Sequence, residues 1–152
     1  MPYVPNSMNQ EGREAAYWQV RLVALASLVM LASNFVSLGP HVEGFAAILV
    51  SMWLLTFVFY KHFDDYFMGL VKQGAIWALA ALGLWIFGQA LLSIFEGFYG
   101  LGVTAAGAEL SPDDATFRIP EKFNSAWLLA STCSTAFFAG FIYNHHFGKG
   151  GD

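Results

Sequence analysis

Four separate apolar stretches dominate the chain, at about residues 17–38, 42–62, 75–99 and 123–143. A helix rises 1.5 Å per residue, so about 20 residues cross the roughly 30 Å hydrocarbon core of a bilayer. Inside lipid, each backbone donor and acceptor must be satisfied by its own helix or by a closed barrel. Runs such as Ala78-Leu79-Ala80-Ala81-Leu82 are apolar on every side and lack the alternation of a barrel strand. The expected fold is therefore all-α. It is an integral-membrane, antiparallel four-helix bundle with short interfacial helices, one membrane domain over residues 1–152 with a longer second loop at about 100–122. Arg13 and Arg21 before an apolar run, with Leu31-Ala32-Ser33, loosely resemble a secretory signal, but the segment is retained in the chain and reads as a true span.

Composition narrows the function. Apolar residues make up 57% and charged residues 12%, which excludes a disordered chain. Seven Lys and Arg against eleven Asp and Glu cannot assemble the basic face that a nucleic-acid binder needs. The single cysteine, Cys133, excludes a disulfide framework and a Cys-based zinc or iron–sulfur site within one chain.

Basic residues set the expected orientation. Arg13, Arg21, Lys61, Lys72 and Lys149 fall on one side, whereas Arg118 and Lys122 fall on the other beside Glu109, Asp113, Asp114 and Glu121. Both termini are thus expected to be cytoplasmic. Ser7 followed by Gln10 suits a capping box for a short N-terminal helix. Gly39-Pro40 makes a tight turn that packs the first two spans as antiparallel neighbours. Residues 60–73 mix rings and charges, as in an interfacial helix or an extension of the second span. Ser111-Pro112-Asp113-Asp114 predicts a short helix in the outer loop, with a cap, a first-turn proline and two acids at the positive end of the dipole.

Two helix faces stand out. In the fourth span Ala126, Ala130 and Ser134 recur every four residues and Gly140 follows. Small residues let helices approach closely, so these are the expected close contacts, with Gly88 of the third span opposite. Internal packing and contact with another copy both suit them. Gln89, Ser93 and Glu96 form a polar stripe on the third span. An ionisable group there suggests proton or ion passage; a Glu near the span end also reaches headgroup water or pairs with Arg118 or Lys122.

His62, Asp64, Asp65, His145 and His146 gather near one membrane face with ligand types that divalent metals accept. No HExxH-like spacing accompanies them, and such residues ordinarily anchor helix ends. No metal or catalytic site and no resident cofactor is expected, and which residues would hold a cofactor is open, a pigment bound through one boundary His being compatible with the sequence. Trp18, Trp77 and Trp127 with Tyr17, Tyr60, Tyr99 and Tyr143 suit aromatic belts. Phe57, Phe59, Phe137, Phe138 and Phe141 suit contacts with lipid, a neighbouring protein or a bound hydrophobic molecule.

Over about residues 17–143 the plan resembles the MARVEL group of four-helix membrane proteins. Arg21 before the first span, the minimal first loop, the aromatic second span with Trp53, Phe57, Phe59 and Tyr60, and the small-residue fourth span from Ser125 to Gly140 carry the resemblance. It implies roles in membrane microdomains, vesicle membranes or cell contacts, and it transfers no site residues.

The leading expectation is a non-enzymatic membrane protein that self-associates laterally and organises or shapes the bilayer. Its partners are membrane lipid, further copies of itself or partner transmembrane helices. The alternative is an accessory transmembrane subunit of a respiratory or photosynthetic complex, contacting pigment, quinone or haem.

Overall fold

The structure is a computed structural model that describes residues 10–59, 63–105 and 124–148. It contains four helices: α1 (Gln10–Ser33), α2 (Pro40–Phe59), α3 (Asp65–Ala105) and α4 (Ala126–Phe147). There is no strand among the described residues, and all four helices are long and apolar enough to cross a membrane. Ser7, Tyr60, Lys61, His62, the acidic and basic residues of the second loop, its expected short helix and Lys149 lie outside the described residues.

Local chemistry sets the helix ends. Gly39 has φ +87°, a left-handed conformation that a Cβ would oppose. Pro40 then opens α2, where its missing N–H costs nothing and its fixed φ already suits a helix. This turn returns the chain antiparallel to α1, as the Gly39-Pro40 pair predicts. At the end of α1, the Asn34 amide donates to Met30 O at 3.0 Å and Leu31 O at 3.1 Å. It thereby occupies carbonyls that the helix itself leaves unpaired.

Asp64 starts α3. The Phe67 N–H donates to Asp64 Oδ1 at 2.7 Å, the bond of an N-cap to its third helical residue. Residues 65–73 are consequently the first turns of α3 rather than a separate interfacial helix or the tail of α2. No proline interrupts the chain from Asp65 to Ala105, and isolated glycines lower helix propensity by only about 1 kcal/mol each. The helix therefore runs on through 41 residues.

α1 and α4 form a central antiparallel pair, with α2 packed on α1 and α3 packed on α4. Three polar contacts stitch the centre. Asn34 Nδ2 donates to Ser131 Oγ at 3.1 Å, Trp127 Nε1 to Ser33 Oγ at 3.3 Å, and Thr135 Oγ1 to Ser27 O at 3.1 Å. In a membrane such bonds contribute about 0.6 kcal/mol each, so they orient the pair more than they hold it. Close packing does the rest: Val20, Ser27, Ser131, Phe138 and Phe141 are almost fully buried.

α2 and α3 meet at one end only, the basal end, where α1 begins and α4 stops. There the Phe57 ring lies 5.9 Å from Phe67, 5.6 Å from Phe137 and 6.4 Å from Phe141. Phe67 meets Phe141 edge-on at 5.2 Å. Phe57, Phe137, Phe138 and Phe141 are thus core residues, while Phe59 is exposed. Periodicity alone could not separate them, because every face of these helices is apolar.

Candidate lateral interface

The length of α3 sets it apart. At 1.5 Å per residue its 41 residues span about 62 Å, roughly twice the hydrocarbon thickness. Two close approaches fix its register on α4. A Cβ on Gly74 would lie 2.7 Å from Phe137 O, and one on Gly140 would lie 2.5 Å from Trp77 Cγ. α4 begins at Ala126, eleven residues before Phe137 and fourteen before Gly140, so its first turn lies opposite about residues 85–91 of α3. The Ser33–Trp127 and Asn34–Ser131 bonds hold the end of α1 at the same level. The last part of α3, from about residue 92 to Ala105, therefore continues about 20–30 Å past the distal ends of the other described helices.

That continuation is mostly apolar, and among the described residues no other helix covers it. Phe67, Leu70 and Gly74 are buried near the start of α3, but no residue from Ala75 to Tyr99 is. Leu92, Phe95, Phe98 and Tyr99 line a groove of about 450 Å³ on this distal arm.

The predicted contact residues divide. Gly140 sits against Trp77, and Ser134 is buried with its hydroxyl donating to Ala130 O at 2.8 Å. Ala126 and Ala130 are exposed on the same helix. Gly88 is half-buried, yet a Cβ there would meet nothing within 4 Å. The hydroxyls of Ser131 and Thr135 face α1, so part of the small-residue surface of α4 is consumed inside the chain.

Glu96 and Gln89 of the polar stripe lie toward the face of α3 that α4 covers lower down, while Ser93 lies about 100° from Gly74 around the helix. At 100° per residue, Glu96 lies within about 40° of Gly74 around the helix. Gln89 is half-buried, Ser93 donates to Gln89 O at 3.0 Å, and Glu96 is exposed. The structure brings no cation of the described residues onto Glu96 as an ion pair.

His145 and His146 lie together at the basal end, whereas His41 opens α2 at the distal end and His62 is outside the described residues. Tyr17 stacks on His145 with centroids 4.4 Å apart, and His146 lies 5.0 Å beyond. Tyr17 Oη and His145 Nδ1 are buried and make no hydrogen bond. His145 follows Tyr143, past the apolar segment of α4. Burial first, then His146 and Arg21, hold its imidazole below the ordinary range and favour the neutral form at pH 7. Among the described residues no three of His, Cys, Asp and Glu converge as a metal-ligand set.

The arrangement is thus a packed base and a long apolar arm that no other described helix covers, and its chemistry is that of surfaces. Sequence reading weighted α4 and overlooked the outward face of α3, because the unbroken helix from Asp65 to Ala105 was not visible without its cap. Comparison with protein-family models, with curated proteins and with solved structures finds no match to this chain.

Proposed function

We propose that this chain is a non-enzymatic, multi-pass membrane protein that associates laterally with copies of itself and organises or shapes the surrounding bilayer. Both termini face the cytoplasm in this reading, on the strength of the basic residues at the basal side. The observation that carries it is the distal arm of α3. Large side chains such as Phe87, Phe98 and Leu101 are each 60% exposed or more on a helix that outruns its neighbours. Apolar surface that outruns the neighbouring helices also outruns the depth at which lipid tails alone would cover it, and lateral association would cover it there. The MARVEL-like plan of short first loop and small-residue fourth span points the same way. The test is the oligomeric state of the purified chain in lipid nanodiscs. Oligomers that persist at low protein-to-lipid ratio support the reading, and a monomer at every ratio removes it.

One observation favours the second reading, an accessory subunit holding pigment, quinone or haem together with its partners. Where α1 and α2 face each other, an apolar groove of about 430 Å³ is lined by Ala26, Val29, Val42, Phe45 and Ala46, with His41 at its rim. A hydrophobic ring system with an axial or hydrogen-bonded imidazole suits that lining. The absorption spectrum of the protein isolated from its native membrane separates the readings. Visible bands lost in His41→Leu support the subunit, and a colourless oligomer supports the scaffold.

A further inference from the structure

The bonds that stitch α1 to α4 through Asn34, Trp127 and Thr135 all lie at or beyond the level of Ser27. Toward the basal end, rings carry the contact. There Tyr17 of α1 stacks on His145 of α4, with centroids 4.4 Å apart and planes 24° apart. Each residue is half-buried, yet its polar tip is enclosed, and Tyr17 Oη and His145 Nδ1 make no hydrogen bond. An enclosed polar atom without a partner is destabilising. The closed stack therefore conceals two groups that water satisfies once it opens.

The surroundings of His145 decide which event opens it. From α1 it faces Arg21, and on α4 itself His146 lies 5.0 Å away, so its charged neighbours are cationic. At this level α2 and α3 contribute the rings of Phe57 and Phe67. Asp64, the carboxylate at the start of α3, is bonded to Arg13 and acts on Tyr17. A neutral imidazole carries a bare lone pair on one nitrogen and tolerates an enclosed Nδ1. A charged imidazole carries N–H on both nitrogens, and the enclosed donor has no acceptor to meet.

We infer that the Tyr17–His145 stack is a proton-released latch on the last turn of α4. When His145 takes up a proton its ring turns out to water, Tyr17 Oη is freed, and residues 144–147 part from α1. The rest of α4 stays in place. Gly140 remains against Trp77, Phe141 remains in the ring cluster, and Tyr143 is held by Trp77 with centroids 5.5 Å apart. The hinge thus falls between Tyr143 and His145. Because the closed stack favours the neutral ring, the latch opens with a midpoint below the ordinary 6.5 of histidine. Opening presents a tyrosine hydroxyl and a charged imidazole where α4 ends, and it does not depend on lateral association.

Spin labels on the full-length protein in phosphatidylcholine nanodiscs test the latch. In a Cys133→Ala background, a label at Phe147→Cys reports the last turn of α4. A second label at Ala130→Cys, exposed higher on the same helix, reports the rest of it. Between pH 7.5 and 4.5 the mobile fraction at position 147 should rise about threefold and reversibly, while that at position 130 stays constant. His145→Phe keeps a stacking ring without a titrating nitrogen and should hold the label at 147 immobile throughout. His145→Lys carries its charge across the whole range and should leave that label mobile throughout. His146→Gln should retain the transition. A label at 147 that ignores pH, an acid transition that survives in His145→Phe, or equal mobilisation at 130 overturns the latch. A transition lost in His146→Gln overturns its assignment to His145.

Discussion

Arg13 of α1 donates to Asp64 Oδ2 at 2.9 Å while the other oxygen of the same carboxylate caps α3. One side chain thus ends the α2–α3 connection, starts the longest helix and ties it to the first. Cap loss costs about 1 kcal/mol, and an ion pair as exposed as Arg13 contributes about 0–1 kcal/mol. Asp64→Ala should therefore lower the thermal midpoint in mild detergent more than Asp64→Asn, which keeps the cap. Arg13→Ala should match the smaller effect. Equal midpoints for the two Asp64 variants would refute the capping role.

Phe57 is the side chain through which α2 reaches both α3 and α4. Truncating a buried Phe costs about 3–5 kcal/mol in water-soluble cores, part of it from the cavity left behind. Phe57→Ala should fall at or just below that range, because lipid replaces some lost contacts. Phe59→Ala should be neutral within about 0.5 kcal/mol, since Phe59 is 74% exposed two residues away. Reversible unfolding in mixed micelles measures both.

The glycines of α3 and α4 should separate into two classes. Gly74→Ala drives a methyl toward the Phe137 carbonyl at 2.7 Å, and Gly140→Ala drives one into the Trp77 ring. Both should destabilise by about 1–3 kcal/mol as overpacked sites. Gly102→Ala meets nothing within 4 Å and removes backbone freedom, so it should stabilise by about 0.5–1 kcal/mol. Thermal midpoints of the three variants check the sign in each case.

His145 predicts a pH dependence at the basal end. Its folded pKa is below the ordinary 6.5, so the unfolded chain takes up a proton more readily than the folded one. The stability contributed by the neutral imidazole is complete above about pH 6.5 and is lost as pH falls from there through the lower folded pKa. Unfolding midpoints at pH 7.5 and 5.5 should differ in that direction, and His145→Phe should flatten the difference. A steeper loss in that variant would show that another group carries the effect.

Sequence alone determined the material and the count. Four stretches of 20 apolar residues leave a chain no choice but helices in lipid, because the backbone must bond to itself. Gly39-Pro40 likewise set the first turn, since its geometry needs no distant contact. Tertiary structure decided which apolar residues are core. Phe57 and Phe59 are indistinguishable by composition, yet only Phe57 points where α3 and α4 converge. It also decided that the glycine facing Gly140 from α3 is none at all but the ring of Trp77, while Gly88 faces open space. Most of all it decided the reach of α3. Asp64 caps a helix only when the chain has turned to present Phe67 N–H to it, and the level of α4 against Gly74 and Trp77 leaves the distal part of α3 beyond the other described helices.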